Sequence, residues 1–399
     1  MRVLLVTGKG GVGKTSVAAA TAHAIASEGA RTLALSTDPA HSLADVLGVG
    51  VPDEPTPVAA GLDAAQLDGR HRLTAQWDAI RGYLVSLLRW GGLDDVQAEE
   101  LALLPGLDEL FALADVRAHV DRGHYDAIVV DCAPTAETLR LLTLPDSLGW
   151  YLERAFGVER AFARVVRPVL GRATTMPLPD DALIGSVERL YRTLAGVRDV
   201  LLDGHTTSVR LVCNAERVVV AETRRTHTAL ALFGYHVDAV VVNRLLPEEV
   251  TDPWFARWRA LQAAQLDEVR RGFAGTPVLT APLLDEELVG LPALARLGAA
   301  VYDGLDPAAV LGHDEPLRLA RDGDEVLFSV ALPFAERDEV DVFHRADELY
   351  VQVGGHTRSI LLPAQLRRGE VVSAGLSGGR LEVRFAVPPP NLTAGPVGG

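Results

Sequence analysis

The chain has 399 residues, enough for two or three domains of about 150 residues each and for a large buried core. Hydrophobic residues make up 48% and charged residues 23%, which excludes a wholly disordered or collagen-like chain. With 38 basic against 53 acidic residues the net charge is -15, a balance that argues against nucleic acid as a partner, because neutralising phosphates takes clustered Lys and Arg. Only Cys132 and Cys213 are present, far apart and without a His or Cys at ligand spacing, so neither a disulfide framework nor a zinc knuckle is expected. No apolar run approaches the ~18 residues of a membrane-spanning helix, and Met1 to Val6 lead into glycines rather than a small-residue cleavage site. A cytoplasmic, uncleaved chain is the expectation.

The first elements read as a strand, a helix and a strand. Val3 to Thr7 is a short apolar run ending in glycines, the pattern of a buried parallel strand. An alanine-rich helix is predicted over Lys14 to Glu28, stopped by Gly29 at the left-handed cap position. A second buried strand, Thr32 to Ser36, runs into Thr37-Asp38-Pro39. Leu73, Trp77, Ile80, Leu84, Leu87 and Leu88 then recur at helical spacing, and Leu101 to Leu113 continues the pattern around a Pro105-Gly106 break. A helical insert is therefore predicted over about 62–122, with a second helical stretch over about 144–202. Between them Asp126 to Val130 reads as a strand ending in Asp131. Strand patterns return at Val209 to Cys213, Ala239 to Val242 and Thr276 to Leu279, with helices between them and Gly234 closing one. This alternation predicts an α/β fold over 1–305, a mostly parallel sheet covered on both faces.

Near Asp306 the composition changes, and a Pro- and Gly-bearing linker is predicted over 306–316. After it the period becomes two: Val326, Phe328, Val330 and Leu332, then Leu349, Val351 and Val353, then Ile360 and Leu362, then Leu381, Val383 and Phe385. Half-buried antiparallel strands in a small all-β sandwich are predicted over 317–387, followed by a disordered tail over 388–399.

The chemistry sits at the strand ends. Gly8-Lys9-Gly10-Gly11-Val12-Gly13-Lys14-Thr15 satisfies the phosphate-loop pattern G-x-x-x-x-G-K-[ST] between a strand and a helix, and Ser16 follows it. The glycines let successive backbone N–H groups turn toward phosphates, and the helix N-terminus adds its positive end. Lys14 should reach the terminal phosphates of ATP, and Thr15 offers a hydroxyl to Mg²⁺. Lys9, aimed away from the helix, suits a charge delivered across a two-fold dimer; the alternative is a solvated surface lysine. Asp38 follows a strand, where a carboxylate can orient an attacking water or simply cap the next helix. Asp131 stands where a carboxylate would support the Mg²⁺ shell through water, and Cys132-Ala133-Pro134-Thr135 after it reads as a loop able to change shape with the γ-phosphate.

Three segments together resemble the ArsA-type ATPases, which include arsenite-pump ATPases and the ATPase that delivers tail-anchored membrane proteins. They are the two-lysine loop, Asp38-Pro39-Ala40-His41-Ser42-Leu43, and Asp131-Cys132-Ala133-Pro134-Thr135-Ala136-Glu137-Thr138-Leu139-Arg140-Leu141-Leu142. The resemblance covers about 1–305. It implies a P-loop NTPase of the signature-lysine (deviant Walker A) class, a homodimer in which Lys9 acts in trans, Asp38 is the water-orienting residue of switch I, and Asp131 to Thr138 form switch II. Val212-Cys213-Asn214-Ala215-Glu216 resembles the segment whose glutamate touches nucleotide across the dimer, which implicates Glu216. By the same likeness Asn243, in Val242-Asn243-Arg244-Leu245-Leu246, should hydrogen-bond adenine, and Pro282 should contact it. From the residues alone these three read as a helix-start carboxylate, a strand-end polar residue and a turn.

The chain also departs from that pattern. Ala136-Glu137 stands where the family often carries Gly-His, two separated cysteines cannot make a three-thiol arsenite site in one chain, and the paired cysteines of the zinc-bridged targeting ATPases are missing. The helical insert reads either as a client groove or as helices packing their own core. Phe328-Ser329-Val330-Ala331-Leu332-Pro333 and Gly379-Arg380-Leu381-Glu382-Val383-Arg384-Phe385 resemble the α-crystallin-like domain of small heat-shock proteins. That likeness implies either a chaperone surface or a plain interaction module. The functional expectation is ATP hydrolysis coupled to transport, targeting or a chaperone-like task, with an unknown protein client or membrane partner. A nucleotide-gated carrier and a Par- or Min-type positioning ATPase are the alternatives.

Overall fold

The computed structural model describes residues 1–37, 42–67, 74–101, 107–132, 180–323, 325–345, 348–363, 366–367 and 369–386. Strands β1 (Arg2–Gly8), β2 (Thr32–Ser36), β3 (Thr56–Ala59), β4 (Leu62–Gln66), β5 (Ala127–Asp131), β6 (Thr207–Asn214), β7 (Val237–Leu245) and β8 (Val278–Pro282) form one sheet in the order β3-β4-β2-β5-β1-β6-β7-β8. All neighbours run parallel except β3 with β4. The β1, β2 and β5 runs of Val, Leu, Ile and Ala are buried from end to end because helices cover the sheet. Helix α1 (Lys14–Ser27) begins directly after the glycine loop, and Gly29 takes a φ of 96° beyond its end, as expected of a left-handed stop.

The chain leaves β1 toward β2 and β4 on one side, comes back to β5, and then crosses β1 to build β6, β7 and β8 on the other. The loop after β1 therefore lies where the strand order reverses, the place where open parallel sheets hold ligands.

One expectation needs correction. Leu62–Gln66, placed at the start of the helical insert, is strand β4, paired in parallel with β2. Leu62, Ala64, Ala65 and Gln66 are all buried, as fits a strand lying between β3 and β2 and covered on its faces. Helix α2 (Ser42–Leu47) follows β2, and the described helices of the insert are α3 (Thr74–Trp90), α4 (Asp95–Leu101) and α5 (Leu107–Arg122). Of the stretch 144–202, the described part is α6 (Asp181–Leu202), capped by the Asp180 carboxylate accepting from the Leu183 amide at 2.7 Å. Residues 144–179 lie outside the described residues. On the α3 stripe, Trp77 and Ile80 pack on the main core, whereas Leu84, Val85 and Leu88 form a small cluster with Leu93 and Ala98. Helices α7 (Arg217–Leu232), α8 (Pro253–Gly272) and α9 (Leu291–Tyr302) complete the α/β part. Among the described residues, no helix is long and apolar enough to cross a membrane.

Strands β9 (Leu317–Asp322), β10 (Glu325–Ala331), β11 (Val340–Arg345), β12 (Glu348–Val353), β13 (His356–Leu361), β14 (Glu370–Ser377) and β15 (Arg380–Ala386) make two antiparallel sheets, β14-β15-β10-β9 and β11-β12-β13. Every apolar position of the period-two pattern is buried. Three strands of the sandwich went unread in the sequence, β9, β11 and β14, and each is mostly exposed, with at most a short alternation of half-buried residues.

The segment joining the two parts is tied down. Arg210 and Asp238, both fully buried, pair at 3.4 Å, and Arg210 donates to the carbonyls of Pro307 and Ala309 at 2.7 and 3.0 Å. Arg2 donates to the Ala308 carbonyl at 2.9 Å. The sandwich in turn rests on α7: Thr228 donates to the Pro333 carbonyl, Arg358 donates to the Leu232 carbonyl, and the Arg224 guanidinium lies 5.4 Å from the Phe334 ring centre.

Candidate functional site

The glycine loop is shaped by contacts that a side chain would prevent. A Cβ on Gly8 would stand 2.1 Å from the Val212 carbonyl oxygen, because β1 and β6 are paired at that register. Gly13 has a φ of 93°, and a Cβ there would lie 2.5 Å from the Asn243 amide nitrogen. Gly11 is also left-handed, while Gly10 and Gly11 both face open space and Val12 is buried beneath the loop.

Gly13 precedes α1 without a side-chain cap, and no acid lies in the first turn. The first amides of the helix are thus left for an anion, and the helix dipole adds a partial positive charge there. Lys14, the first residue of α1, is 7% exposed, so a cationic side chain is held against the protein rather than in solvent at the start of the helix. This donor set fits a polyphosphate. Thr15 stands within 3.1 Å of Ser42 through their hydroxyls, and Ser16 is half-buried on the same turn.

Asp131 ends β5 and is buried; Ser36 lies 3.4 Å from its carboxylate, and the Thr37 amide donates to its backbone carbonyl at 3.0 Å. The ends of β2 and β5 are thereby joined beside the loop. An oxygen-only set of Thr15 and Asp131 suits Mg²⁺, which favours hard oxygen ligands. Asp38 and residues 133–138, to which the resemblance gave the switch roles, lie outside the described residues.

Asn243 is 1% exposed at the end of β7, and its amide donates to the Val12 carbonyl at 2.9 Å while its oxygen accepts from the Arg244 backbone amide at 2.9 Å. The loop is therefore braced from β7, which lies beyond β6 in the sheet. Glu216 is exposed at the N-cap of α7 and makes no side-chain cap bond. Pro282, half-buried, ends β8 opposite Leu245. Lys9 forms an ion pair at 3.0 Å with Glu222 of α7.

Arg244, Ser42 and Glu222 were not singled out from the sequence. Arg244 holds a φ of 60°, uncommon for a side chain of its size, and donates to the Gly11 carbonyl at 2.9 Å. Ser42 sits inside a quoted motif, so its place was legible; Glu222 belongs to no motif and only folding brings it to Lys9. Both cysteines are buried, and desolvation pushes each thiol up to about 12, with the Asp131 charge adding to the effect at Cys132.

The chain matches the family described as Anion-transporting ATPase over residues 1–303 and the HSP20-like domain found in ArsA over residues 323–385. A Chlorobaculum tepidum protein named "Putative arsenical pump-driving ATPase" is 37% identical over 369 residues, 92% of this chain and 91% of that one. The Arabidopsis thaliana protein named ATPase GET3C is 30% identical over 322 residues, 75% of this chain and 81% of its own. The Aspergillus terreus ATPase get3 is likewise 30% identical, over 312 residues, 74% of this chain and 89% of its own. With a phosphate loop at the switch point of a parallel sheet and an antiparallel sandwich behind it, the chain belongs to the ArsA-type ATPases and carries their HSP20-like domain.

Proposed function

We propose that this ATPase works as a magnesium-dependent homodimer that closes around nucleotide and opens after hydrolysis. The braced glycine loop, Lys14 and the uncapped α1 terminus hold the phosphates in cis. Thr15 and Asp131 would hold Mg²⁺, which when bound neutralises phosphate charge. Asp38 orients the attacking water, Lys9 serves the partner's nucleotide, and Glu216, Asn243 and Pro282 contribute to the nucleotide pocket. Nucleotide drives closure only by binding the closed form more tightly. The single observation that carries this reading is the two-lysine loop, with Lys14 buried at the helix terminus and Lys9 turned away from it.

For the task coupled to hydrolysis, we favour a cytoplasmic carrier or chaperone of a protein client, reaching a membrane only through a partner, over an arsenite pump. Two buried thiols, one just after β5 and one within β6, both strongly protonated at neutral pH, offer no converging thiolates to a soft ion. The likeness to proteins named get3 supports the same direction. Steady-state hydrolysis by Lys9→Ala and Asp38→Asn tests the dimer chemistry: losses of at least about tenfold are expected in both, and wild-type rates in both would overturn it. Stimulation of turnover by arsenite would restore the pump.

A further inference from the structure

Lys9 is partly exposed but ion-paired within its own chain. Its ammonium lies 3.0 Å from a carboxylate oxygen of Glu222, and both side chains keep about a third of their surface exposed, at 37% and 29%. Glu222 stands near the start of α7, the helix that follows β6 and opens with Glu216. The loop thus projects Lys9 away from its own phosphates and onto a neighbouring helix of the same chain, where an acid waits for it.

That helix is not free to drift. Two residues beyond Glu222, Arg224 packs on Phe334 and pairs with Glu268 of α8 at 3.0 Å. Thr228 and Leu232, further along, take the Pro333 and Arg358 contacts of the sandwich. The carboxylate that receives Lys9 is therefore held at a set place by the C-terminal domain.

We propose that Glu222 is a positioning residue that parks Lys9 in the open protein and must give it up when two copies close on nucleotide. The proposal rests on the reading that Lys9 serves the partner's phosphates. An ammonium in contact with a carboxylate gains less from approaching a triphosphate than an unpaired one, since the existing attraction is lost on transfer. The exchange is nonetheless easy, because a partly exposed pair is worth only a few-fold in equilibrium. Glu222 then acts as a threshold on closure and leaves the chemical step, carried by Lys9, Lys14 and Asp38, unchanged.

The test is ATP hydrolysis by the full chain, measured against nucleotide and protein concentration, for wild type, Glu222→Gln, Lys9→Ala and the double variant. Gln is isosteric with Glu, and the site is exposed enough to accept it. Glu222→Gln should reach half-maximal activity at about two- to fivefold lower concentration with kcat unchanged, and the double variant should match Lys9→Ala. An unchanged or raised half-saturation point in Glu222→Gln, with Lys9→Ala inactive, would overturn the parking role and leave the role of Lys9 intact. Wild-type hydrolysis by Lys9→Ala would remove the underlying reading and the parking role with it.

Discussion

The Asn243 amide donates to the Val12 carbonyl at 2.9 Å, and its nitrogen stands where a Cβ on Gly13 would intrude at 2.5 Å. One side chain thus enforces both the shape of the phosphate loop and the absence of a side chain within it. Asn243→Ala should leave the Val12 carbonyl without its donor and loosen the loop by about 1 kcal/mol, weakening ATP binding about fivefold by calorimetry. Gly13→Ala meets both the contact and the left-handed φ, and should abolish detectable binding while the far-UV circular dichroism stays that of the wild type.

The Arg210–Asp238 pair is fully buried and fastens the segment between the two domains. Removing Arg210 leaves the buried Asp238 carboxylate with the Ser208 hydroxyl at 2.8 Å and the more distant Arg2 guanidinium at 3.7 Å. Arg210→Met should cost about 3–5 kcal/mol in urea unfolding, and Arg210→Met/Asp238→Leu should cost less than the sum of the two single changes.

Phe334 holds a φ of 67° where the sandwich meets α7, its ring tilted by 58° against that of Phe273 at 4.7 Å between ring centres. Ala at this position loses the ring and keeps the strained backbone; Gly loses the ring and relieves the strain. Phe334→Gly should therefore melt higher than Phe334→Ala, by about 1 kcal/mol, although an internal glycine normally does the reverse.

His227 stacks on Phe273 at 5.5 Å in the same junction, and burial, with His236 nearby, lowers its pKa from 6.5 to about 4. The unfolded chain takes up the proton first as pH falls. The neutral imidazole's contribution is therefore complete above about pH 6.5, declines below it and levels off near pH 4. Wild type should lose roughly 2 kcal/mol more between pH 7 and pH 5 than His227→Phe, which has no proton to gain. Thermal melts at the two pH values compare them directly, and equal losses would show that His227 titrates normally.

The α/β class and the phosphate loop were written in the sequence because each follows from local rules. Fully buried parallel strands need unbroken apolar runs, such as Val3 to Val6 and Ala127 to Val130, and a backbone that cradles phosphate needs glycine where Gly8 and Gly13 stand. The same locality made the alternation of β10, β12 and β15 legible and hid β9, β11 and β14, which bury few or no side chains fully. What only the tertiary structure decided are pairings between residues far apart in the chain: Lys9 with Glu222, Asn243 with Val12, Arg210 with Asp238 and the carbonyls beyond Tyr302, and the sandwich with α7. Residue type and spacing carry no record of such contacts, because their energy depends on where the sheet order and the helix packing bring two side chains together.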